Sequence, residues 1–408
     1  MKYYDVIIIG GGAAGFFGAI NMAEFNSELK IAILERGKEV LNKVKVSGGG
    51  RCNVTHAEFI PQDLVKNYPR GEKELLGPFH KFMTGDTITW FENRGIELKI
   101  EEDGRMFPVS NSSQTIIDCF LDEVERHQID LLRTQPVQSI VKENSGWIAH
   151  TRSETFASDK ILIATGSNPK IWSMLMQLGH TIIQPVPSLF TFDIHDERIK
   201  ELPGVVVKHV DIQVVGSQLQ SEGPLLFTHV GMSAPAILKL SAFGALEFAE
   251  CNYKFKIKIN FIGLNNDQCL DHLKSLRVAQ IKKAVVNSIQ FELPKRLWKA
   301  LVLASGISSD LRWADLNNKQ FDRLTEQLTQ SVFNVNGKST FKEEFVTAGG
   351  IDLKEVNFKT FESKLHEGLF FAGEVLNIDA VTGGFNFQNA WTGAYLAAKH
   401  ISSSLTNG

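Results

Sequence analysis

A glycine-rich turn near the amino terminus has residue types and spacing suited to binding phosphate. Residues 10–15 have the sequence Gly-Gly-Gly-Ala-Ala-Gly and lie between an apolar run at residues 5–9 and a segment rich in small residues. In this pattern Gly10 permits a tight turn, Gly12 lets the backbone approach a pyrophosphate, and Gly15 allows a helix to pack closely on a strand. The following helix directs its amino-terminal amides at the negative charge. The turn therefore predicts the pyrophosphate site of a dinucleotide.

An acidic residue follows this turn at the spacing that a dinucleotide site requires. Glu35 ends a second apolar run, residues 30–34, about 20 residues after the glycines, where a carboxylate accepts hydrogen bonds from ribose hydroxyls. A 2′-phosphate fits poorly beside Glu35, although the neighbouring Arg36 leaves an opening for one. The alternative is a glycine-rich turn with an unrelated surface glutamate, and the spacing favours the dinucleotide.

Segments at both ends of the chain favour FAD over a nicotinamide. Residues 43–53, Lys-Val-Lys-Val-Ser-Gly-Gly-Gly-Arg-Cys-Asn, contain three consecutive glycines whose amides can face an extended cofactor. Towards the carboxyl terminus, Gly373 and Glu374 follow an apolar strand, and residues 379–388 lead into a helix rich in small residues. The amino terminus of that helix can stabilise charge on the pyrimidine end of a reduced flavin. These features predict bound FAD.

The sequence resembles a family of bacterial FAD-dependent oxidoreductases that includes 3-dehydro-bile-acid Δ4,6-reductase-like and aminoacetone-oxidase-like proteins. The resemblance spans nearly the whole chain and is carried by residues 47–53, 227–233, 347–350 and 371–388. One departure is Ala234, which stands where relatives commonly have glycine. The resemblance implies FAD contacts from Ala14, Glu35, Arg36, Ser47, Gly50, Arg51, Asn53, Val137, Gly373, Glu374, Asp379, Asn386 and Phe387.

Further cofactor contacts are expected from the glycine-rich segments and the ends of the apolar strands. These residues are Gly10, Gly12, Gly15, Gly48, Gly49, Cys52, Thr165, Gly166, Gly384 and Phe385.

Three residues are candidates for catalysis, each with a structural alternative. Cys52, in the glycine-rich loop, can form a flavin adduct or act as an acid, but a small packing residue is the favoured interpretation because no second cysteine lies nearby. His229 lies in a predicted loop and can supply a proton near neutral pH, against the alternative of an ordinary surface or buried histidine. Arg105, on a predicted turn, can bind a carboxylate or stabilise an enolate, or can belong to a plain surface turn.

The elements that must position these residues form an α/β fold. Continuous apolar runs at residues 5–9, 30–34, 161–165 and 369–372 are typical of parallel strands buried on both faces. Alternating residues between 186 and 262 indicate antiparallel strands, and helical periodicity follows from 266 to 330. The family resemblance implies that the Rossmann domain for FAD is of the glutathione-reductase type and that the β insert is barrel-like. We therefore predict an FAD domain (1–185 and 346–408) interrupted by a β-barrel-like insert (186–264), a small helical domain (265–330) and a return strand (331–345).

Composition limits the partners and the compartment. The 408 residues carry 43 basic and 46 acidic side chains, so no overall field attracts nucleic acid or anionic lipid, and a small-molecule substrate is expected. Four cysteines occur without a CxxC pair, so neither a metal site nor a disulfide framework is predicted. No signal peptide or membrane span is apparent, so a cytoplasmic location is expected. The oligomeric state is open.

The predicted activity is NAD(P)H-linked reduction of an activated carbon–carbon double bond by the flavin. No second GxGxxG follows residue 15, so NADH or NADPH is expected to bind only transiently. Three alternatives are open: FAD-dependent oxidation of a small amine, flavin-dependent RNA modification and a non-catalytic flavin-binding regulator. The slightly acidic charge balance disfavours RNA modification.

Overall fold

The computed structural model describes residues 1–143, 146–339 and 346–406. The chain divides into two compact units, Met1–Val186 with Val346–Gly408, and Pro187–Phe345. We call them the first and the second unit. The part of the predicted return strand at residues 340–345 lies outside the described residues.

Helices and strands are interspersed along the described chain. The α-helices are α1 (Ala13–Phe25), α2 (Asn42–Gly50), α3 (Pro61–Leu64), α4 (Glu72–Phe79), α5 (Thr84–Glu92), α6 (Ser113–Arg126), α7 (Pro169–Gln177), α8 (Pro235–Phe243), α9 (Ala245–Glu250), α10 (Asn266–Ala279), α11 (Lys295–Ala304), α12 (Asn318–Thr329) and α13 (Phe385–Thr406). The strands are β1 (Lys2–Ile9), β2 (Ile31–Leu34), β3 (Thr55–His56), β4 (Leu98–Ile100), β5 (Arg105–Pro108), β6 (Asp130–Leu132), β7 (Ser139–Lys142), β8 (Trp147–His150), β9 (Thr155–Ile163), β10 (Ile182–Pro187), β11 (Thr191–Asp193), β12 (Val206–Val214), β13 (Gln220–Phe227), β14 (Gly231–Ser233), β15 (Phe255–Asn260), β16 (Ser331–Val335), β17 (Gly337–Ser339), β18 (Thr347–Ile351), β19 (Val356–Asn357), β20 (Glu362–Ser363) and β21 (Leu369–Phe371). Short 3₁₀ helices cover Val65–Asn67, Val285–Asn287, Trp313–Asp315 and Leu353–Glu355.

The first unit is built on a sheet with the strand order β19-β20-β21-β9-β1-β2-β6. The pairs between β21, β9, β1, β2 and β6 are all parallel. Val6, Ile7 and Ile8 are fully buried, and α1 and α13, which pack on each other, contact the strands β1, β2 and β21. A run of adjacent buried residues, rather than an alternation, is therefore the correct sequence signature for β1. This sheet confirms the predicted Rossmann-type α/β fold class.

Strands from distant parts of the chain complete the first unit. β21, near the carboxyl terminus, pairs with β9, and α13 packs against α1 at the other end of the sequence. A small sheet with the order β3-β5-β4 carries the residues that follow the glycine-rich loop. The strands β10 and β18 pair where the first unit leaves and resumes its path.

The second unit contains an antiparallel sheet with the order β16-β15-β12-β13-β14-β11-β17. Its strands alternate buried and exposed residues, and their buried face shares one core with α10, α11 and α12. Ala234, where relatives commonly have glycine, has φ of 82° in the left-handed region that favours glycine.

The helical periodicity expected around residues 279–289 is wrong. α10 ends at Ala279, and Ile281 and Ile289 are exposed to 52% and 41%. Of the apolar residues in this stretch, Val285 and Val286 are inserted into the core, on a 3₁₀ turn. Apolar residues at helical spacing do not form a helix here, since the turns between α10 and Pro294 bury the adjacent Val285 and Val286 and leave Ile281 and Ile289 exposed.

In the described part of the chain, no helix combines the length and the apolar character needed to cross a membrane.

Candidate functional site

The turn after β1 has a conformation that requires glycine at two positions. Gly10 has φ of 117°, and a Cβ added there would lie 2.4 Å from the carbonyl oxygen of Ala164. A Cβ on Gly15 would lie 2.0 Å from the carbonyl oxygen of Gly10. At Gly12, which precedes α1, the nearest atom from elsewhere in the chain would be 4.0 Å from a Cβ. The turn is therefore tightly packed at Gly10 and Gly15 and open at Gly12, as a pyrophosphate cradle requires.

Glu35 lies at the end of β2 and is oriented by backbone amides. Its Oε2 accepts a hydrogen bond from the amide of Gly11 at 2.8 Å, and its Oε1 accepts one from the amide of Gly37 at 2.8 Å. Arg36 is exposed beside it. The carboxylate thus lies next to the glycine turn with acceptor capacity left for ribose hydroxyls.

The second glycine-rich segment breaks α2 and forms an open loop. Gly48 and Gly49 have left-handed φ angles of 57° and 69° inside the span of this helix. A Cβ on Gly48 would lie 2.6 Å from the ring of Phe107, whereas one on Gly49 would meet nothing within 4 Å. One side of the loop therefore packs on the protein, and the other leaves its backbone free to contact a ligand.

A buried acceptor next to this loop has no protein partner. Asn53 is 8% exposed, and its Oδ1 lacks a hydrogen-bond partner among the described residues. Such an atom costs about 1–3 kcal/mol unless something donates to it. An N–H of a flavin ring is a donor of the required kind. This orphan acceptor and the open space at Gly12 and Gly49 show that the residues present fit FAD.

The carboxyl-terminal glycines lie against the same side of the parallel sheet. Gly373 follows β21, and Glu374 forms an ion pair with Lys43 at the start of α2. A Cβ on Gly166, which follows β9, would lie 3.6 Å from Glu374 Oε2. The carboxyl ends of β9 and β21 therefore meet beside α2, which is where ligands bind to open α/β sheets.

Two sets of polar contacts, an ion pair and a pair of hydrogen bonds, fix the loop before α13. Asp379, which is fully buried, forms a bidentate ion pair with Arg70. Asn386 accepts a hydrogen bond from the amide of Ala380 at 3.0 Å and donates one to its carbonyl at 3.1 Å. These contacts fix the approach of the chain to the amino terminus of α13.

Buried hydrogen bonds join the two ends of the chain beside this loop. Thr55 donates to Gln388 at 2.6 Å, and Trp391 donates through Nε1 to the carbonyl of Val54 at 2.9 Å. The segment after the glycine-rich loop thus packs directly on the first turns of α13. The fold brings together the two regions that the sequence assigned to FAD.

The other predicted cofactor residues also lie in the first unit. Ala14 is buried in the first turn of α1, Val137 is half-buried between β6 and β7, Thr165 follows β9, and Phe387 stacks on Trp391 at 5.5 Å. Ser47, Gly50 and Arg51 belong to the glycine loop or adjoin it, and Gly384 and Phe385 stand at the start of α13. Their contacts with FAD are proposals.

Cys52 is fully buried in a left-handed conformation with φ of 61°. Burial raises the pKa of its thiol to about 12, although a hydrogen bond with Ser47 opposes the shift. The residue is therefore a neutral thiol at physiological pH and a poor nucleophile. This supports the packing role that was favoured over catalysis.

Arg105 lies close to Arg51 and the ring of Phe107, a cluster that the sequence did not predict. The guanidinium of Arg51 lies 3.8 Å from the ring centroid of Phe107, and that of Arg105 lies 5.4 Å from it. Glu101 pairs with both arginines, at 2.5 Å and 3.3 Å, and Asp103 binds Arg105 at 2.7 Å. Two half-exposed cations thus lie beside the open loop.

His229 is exposed in the turn between β13 and β14, in the second unit. The residues gathered around the glycine-rich turns all belong to the first unit, so a role for His229 in catalysis stays a prediction.

His56 was missed, although it follows Asn53 by three residues. It lies on β3, stacks on Phe385 with a centroid distance of 4.4 Å, and its Nδ1 is 3.0 Å from the carbonyl oxygen of Gly383. If Nδ1 donates to that carbonyl, Nε2 is left to accept or carry a proton. Packing of the β3 segment on α13 places it beside the loop before that helix, so no local signal marked it.

Comparisons with known proteins find relatives that match nearly the whole chain. The chain is 29% identical over 413 residues to a ribosomal RNA dihydrouridine synthase of Escherichia coli (strain K12), covering 98% of both chains. It is 24% identical over 414 residues to a 3-dehydro-bile acid Δ(4,6)-reductase of Clostridium scindens, covering 96% of this chain and 97% of that protein. From composition we expected no nucleic-acid partner. The relatives named for ribosomal RNA leave that expectation without support.

Solved structures share the fold. A 3-ketosteroid-Δ4-(5α)-dehydrogenase from Rhodococcus jostii RHA1 has a TM-score of 0.51 at 13% identity and covers 98% of this chain and 97% of its own. An open flavocytochrome c3 fumarate reductase has a TM-score of 0.51 at 14% identity, covering 98% of this chain and 78% of that chain.

A family model described as the HI0933-like protein Rossmann domain matches residues 4–400. Together with the site, this match establishes FAD as the cofactor. It confirms the prediction that the protein is an FAD-dependent oxidoreductase, and it confirms the family resemblance. The chain belongs to the HI0933-like family of FAD-dependent oxidoreductases.

Proposed function

We propose that the protein reduces a carbon–carbon double bond conjugated to a carbonyl group, and that this bond belongs to a uracil base of ribosomal RNA. The observation that carries the proposal is the end-to-end similarity to ribosomal RNA dihydrouridine synthases, at 29% identity over 98% of both chains. Coverage of this extent includes the FAD segments and the inserts alike.

The chemistry named for two different relatives supports the reaction class. Dihydrouridine differs from uridine by two hydrogens across the 5,6 double bond of the base, which is conjugated to a carbonyl. A 3-dehydro-bile acid Δ(4,6)-reductase is named for double bonds at positions 4 and 6 of an acid with a ketone at position 3, so these bonds are conjugated as well. Both reductions require a hydride at one carbon and a proton at another, with negative charge developing on the carbonyl oxygen.

In this proposal bound FAD would supply the hydride, with NADH or NADPH as the reductant. The amides near Gly12 would hold its pyrophosphate, Glu35 would accept from the ribose, and Asn53 Oδ1 would accept from the flavin ring. Arg105, half-exposed beside the glycine loop, stabilises charge on the substrate carbonyl oxygen. His56 holds a proton at Nε2 while Gly383 orients its ring.

The test uses the purified holoprotein. We expect a flavin spectrum, bleaching by NADH or NADPH in anaerobic stopped-flow mixing, and dihydrouridine in nucleoside digests of ribosomal RNA treated with protein and nicotinamide, seen by mass spectrometry as a gain of two hydrogens. Ribosomal RNA incubated with oxidised protein alone is the control. A protein that is reduced by a nicotinamide yet forms no dihydrouridine contradicts the RNA substrate.

A second candidate is reduction of a small conjugated ketone, which the similarity to the bile-acid reductase favours. Turnover of a 3-oxo-Δ4 steroid acid, without change to RNA, supports it. The amine oxidase alternative predicts bleaching by an amine such as aminoacetone and none by a nicotinamide.

A further inference from the structure

Positive charge in the second unit is concentrated in one helical stretch. Residues 271–303 carry seven Lys or Arg residues against two carboxylates, Asp271 and Glu292, whereas the whole chain has 43 basic and 46 acidic residues. These seven cations are all exposed. In the described ranges none of them forms an ion pair, while neighbouring cations such as Arg198 and Lys200 do. We call residues 271–303 with these side chains the basic helical surface.

The cations on α10 share one face with an exposed apolar residue. Lys274, Arg277 and Val278 follow the i, i+3, i+4 spacing of a single helical face. Val278 is 77% exposed, and Ile281 is 52% exposed just beyond the helix, whereas Leu273 on another face is buried in the core. This face therefore presents both charge and apolar surface to solvent.

Two lysines on α11 are placed where their charge is unfavourable in the free protein. Lys295 and Lys299 are four residues apart and repel each other across one turn. Lys295 also lies in the first turn, at the positive end of the helix dipole, whereas Arg296 in the same turn donates to the backbone carbonyls of Glu201 and Pro203. Both effects weaken when an anion binds, so the arrangement favours a polyanionic ligand.

An aromatic pair lies between the two helices and is held by an unusual backbone. His272 of α10 contacts Phe291 with a ring-centroid distance of 4.7 Å, and its Nε2 lies 3.2 Å from Gln290 Oε1. Phe291 and Glu292 both have left-handed φ angles, 56° and 55°, which non-glycine residues adopt at a cost. This pair joins the loop before α11 to α10, and the cations of the stretch flank it in sequence on both sides.

We propose that the basic helical surface docks the RNA substrate by contacts with its phosphates. The inference rests on the proposed function, since ribosomal RNA is the polyanion that this reaction would require. Cations beside a partly exposed aromatic pair are typical of nucleic-acid contacts. A membrane is a poorer fit, because the exposed apolar residues between 271 and 303 are aliphatic, and this stretch exposes no tryptophan or tyrosine of the kind that anchors interfacial helices.

The test compares two fourfold variants of the holoprotein. In the surface variant, Lys282→Gln, Lys283→Gln, Lys295→Gln and Lys299→Gln are combined. The control variant combines Lys73→Gln, Lys170→Gln, Lys359→Gln and Lys399→Gln, four exposed lysines of the first unit. Both have the same net charge, so a difference between them reports position and not total charge.

Binding is measured by fluorescence anisotropy with a labelled single-stranded RNA of about 20 nucleotides across a salt series. We expect the surface variant to lose on the order of 100-fold in affinity near 0.1 M salt, and its plot of log K against log salt to be less steep by about 2–3. The control variant should keep the wild-type slope. A melting temperature close to the wild-type value would show that the control variant folds. The surface variant should melt at or above the wild-type value, since the repulsion between Lys295 and Lys299 has been removed.

Equal slopes for the two variants overturn the inference. Stronger binding to phosphatidylglycerol vesicles than to RNA, lost in the surface variant, also overturns it in favour of a lipid surface. The two proposals fail separately: a surface variant that binds RNA normally while wild-type protein forms dihydrouridine defeats the docking surface alone. Wild-type protein that binds RNA through this surface without reducing it defeats the proposed function alone.

Discussion

At the scale of single residues, two features define the candidate site: an open space beside a glycine and a buried acceptor without a hydrogen bond. Gly12 leaves a space that a methyl group would fill, and Asn53 keeps a buried oxygen without a donor among the described residues. Gly10 differs from Gly12, since a Cβ there would strike the backbone of the protein itself. Substitution of Gly12 should therefore affect cofactor binding, whereas substitution of Gly10 should affect the stability of the fold.

We predict that Gly12→Ala abolishes FAD binding while the apoprotein keeps its stability to within about 1 kcal/mol. Gly12 has φ of −99°, which alanine adopts freely, and its Cβ would enter only the open space of the cradle. Gly10→Ala is the matched variant and should destabilise the apoprotein, because its Cβ would lie 2.4 Å from a carbonyl oxygen. The measurements are the flavin-to-protein absorbance ratio and the melting temperature of flavin-free protein. Stoichiometric FAD in Gly12→Ala would place the pyrophosphate elsewhere.

At the scale of elements, the site depends on how the chain enters α13. The loop before this helix is fixed by the ion pair of Arg70 with Asp379, whose carboxyl group is fully buried. Removing one partner of a buried pair leaves a charge without compensation, which costs more than the pair contributes.

Arg70→Met is therefore predicted to reduce the free energy of unfolding by about 3–5 kcal/mol and to weaken FAD binding. Lys66→Met is the control, because Lys66 pairs with Asp63 in an exposed i, i+3 bridge that solvent screens and that contributes little to stability. Urea denaturation of the flavin-free proteins measures the stability, and fluorescence titration measures FAD affinity. If both variants unfold alike, the buried pair does not hold the loop.

At the scale of the whole molecule, a near-neutral total hides an uneven distribution of charge. Residues 187–345 carry 19 basic and 17 acidic side chains, and the remaining residues carry 24 and 29. Within residues 187–345, the excess of positive charge lies in the basic helical surface. Net charge describes the field at long range, whereas a polyanion responds to local density, so the total was a poor argument against RNA.

The division into units leads to a third prediction. Replacing residues 188–345 by a short Gly-Ser linker should leave a protein that binds FAD but has lost its affinity for RNA. The strands β9, β1, β2 and β21 and the helices α1 and α13 all belong to the first unit, and β10 pairs with β18 where the linker would join them. Flavin absorbance and RNA anisotropy measure the two properties. A folded product that refuses FAD would assign part of the cofactor site to the second unit.

The sequence by itself determined the Rossmann-type fold and the nature of the cofactor. Gly10, Gly12, Gly15 and Glu35 lie close together in the chain, and their geometry follows from one strand, one turn and one helix. Local interactions of this kind leave a signature at fixed spacing. The buried run of β1 is readable for the same reason.

Only the tertiary structure decided which distant residues share the site. His56 meets Gly383, and Arg51 and Arg105 meet over Phe107, because a small sheet and α13 bring separate segments together. The same holds for the basic helical surface, whose exposure depends on α10 ending at Ala279 and the chain turning back before α11. Contacts of this kind leave no fixed spacing to read in the sequence, since they arise from packing between separate elements. Cys52 makes the same point, because its thiol is present in the glycine-rich loop but burial raises its pKa and leaves it unreactive.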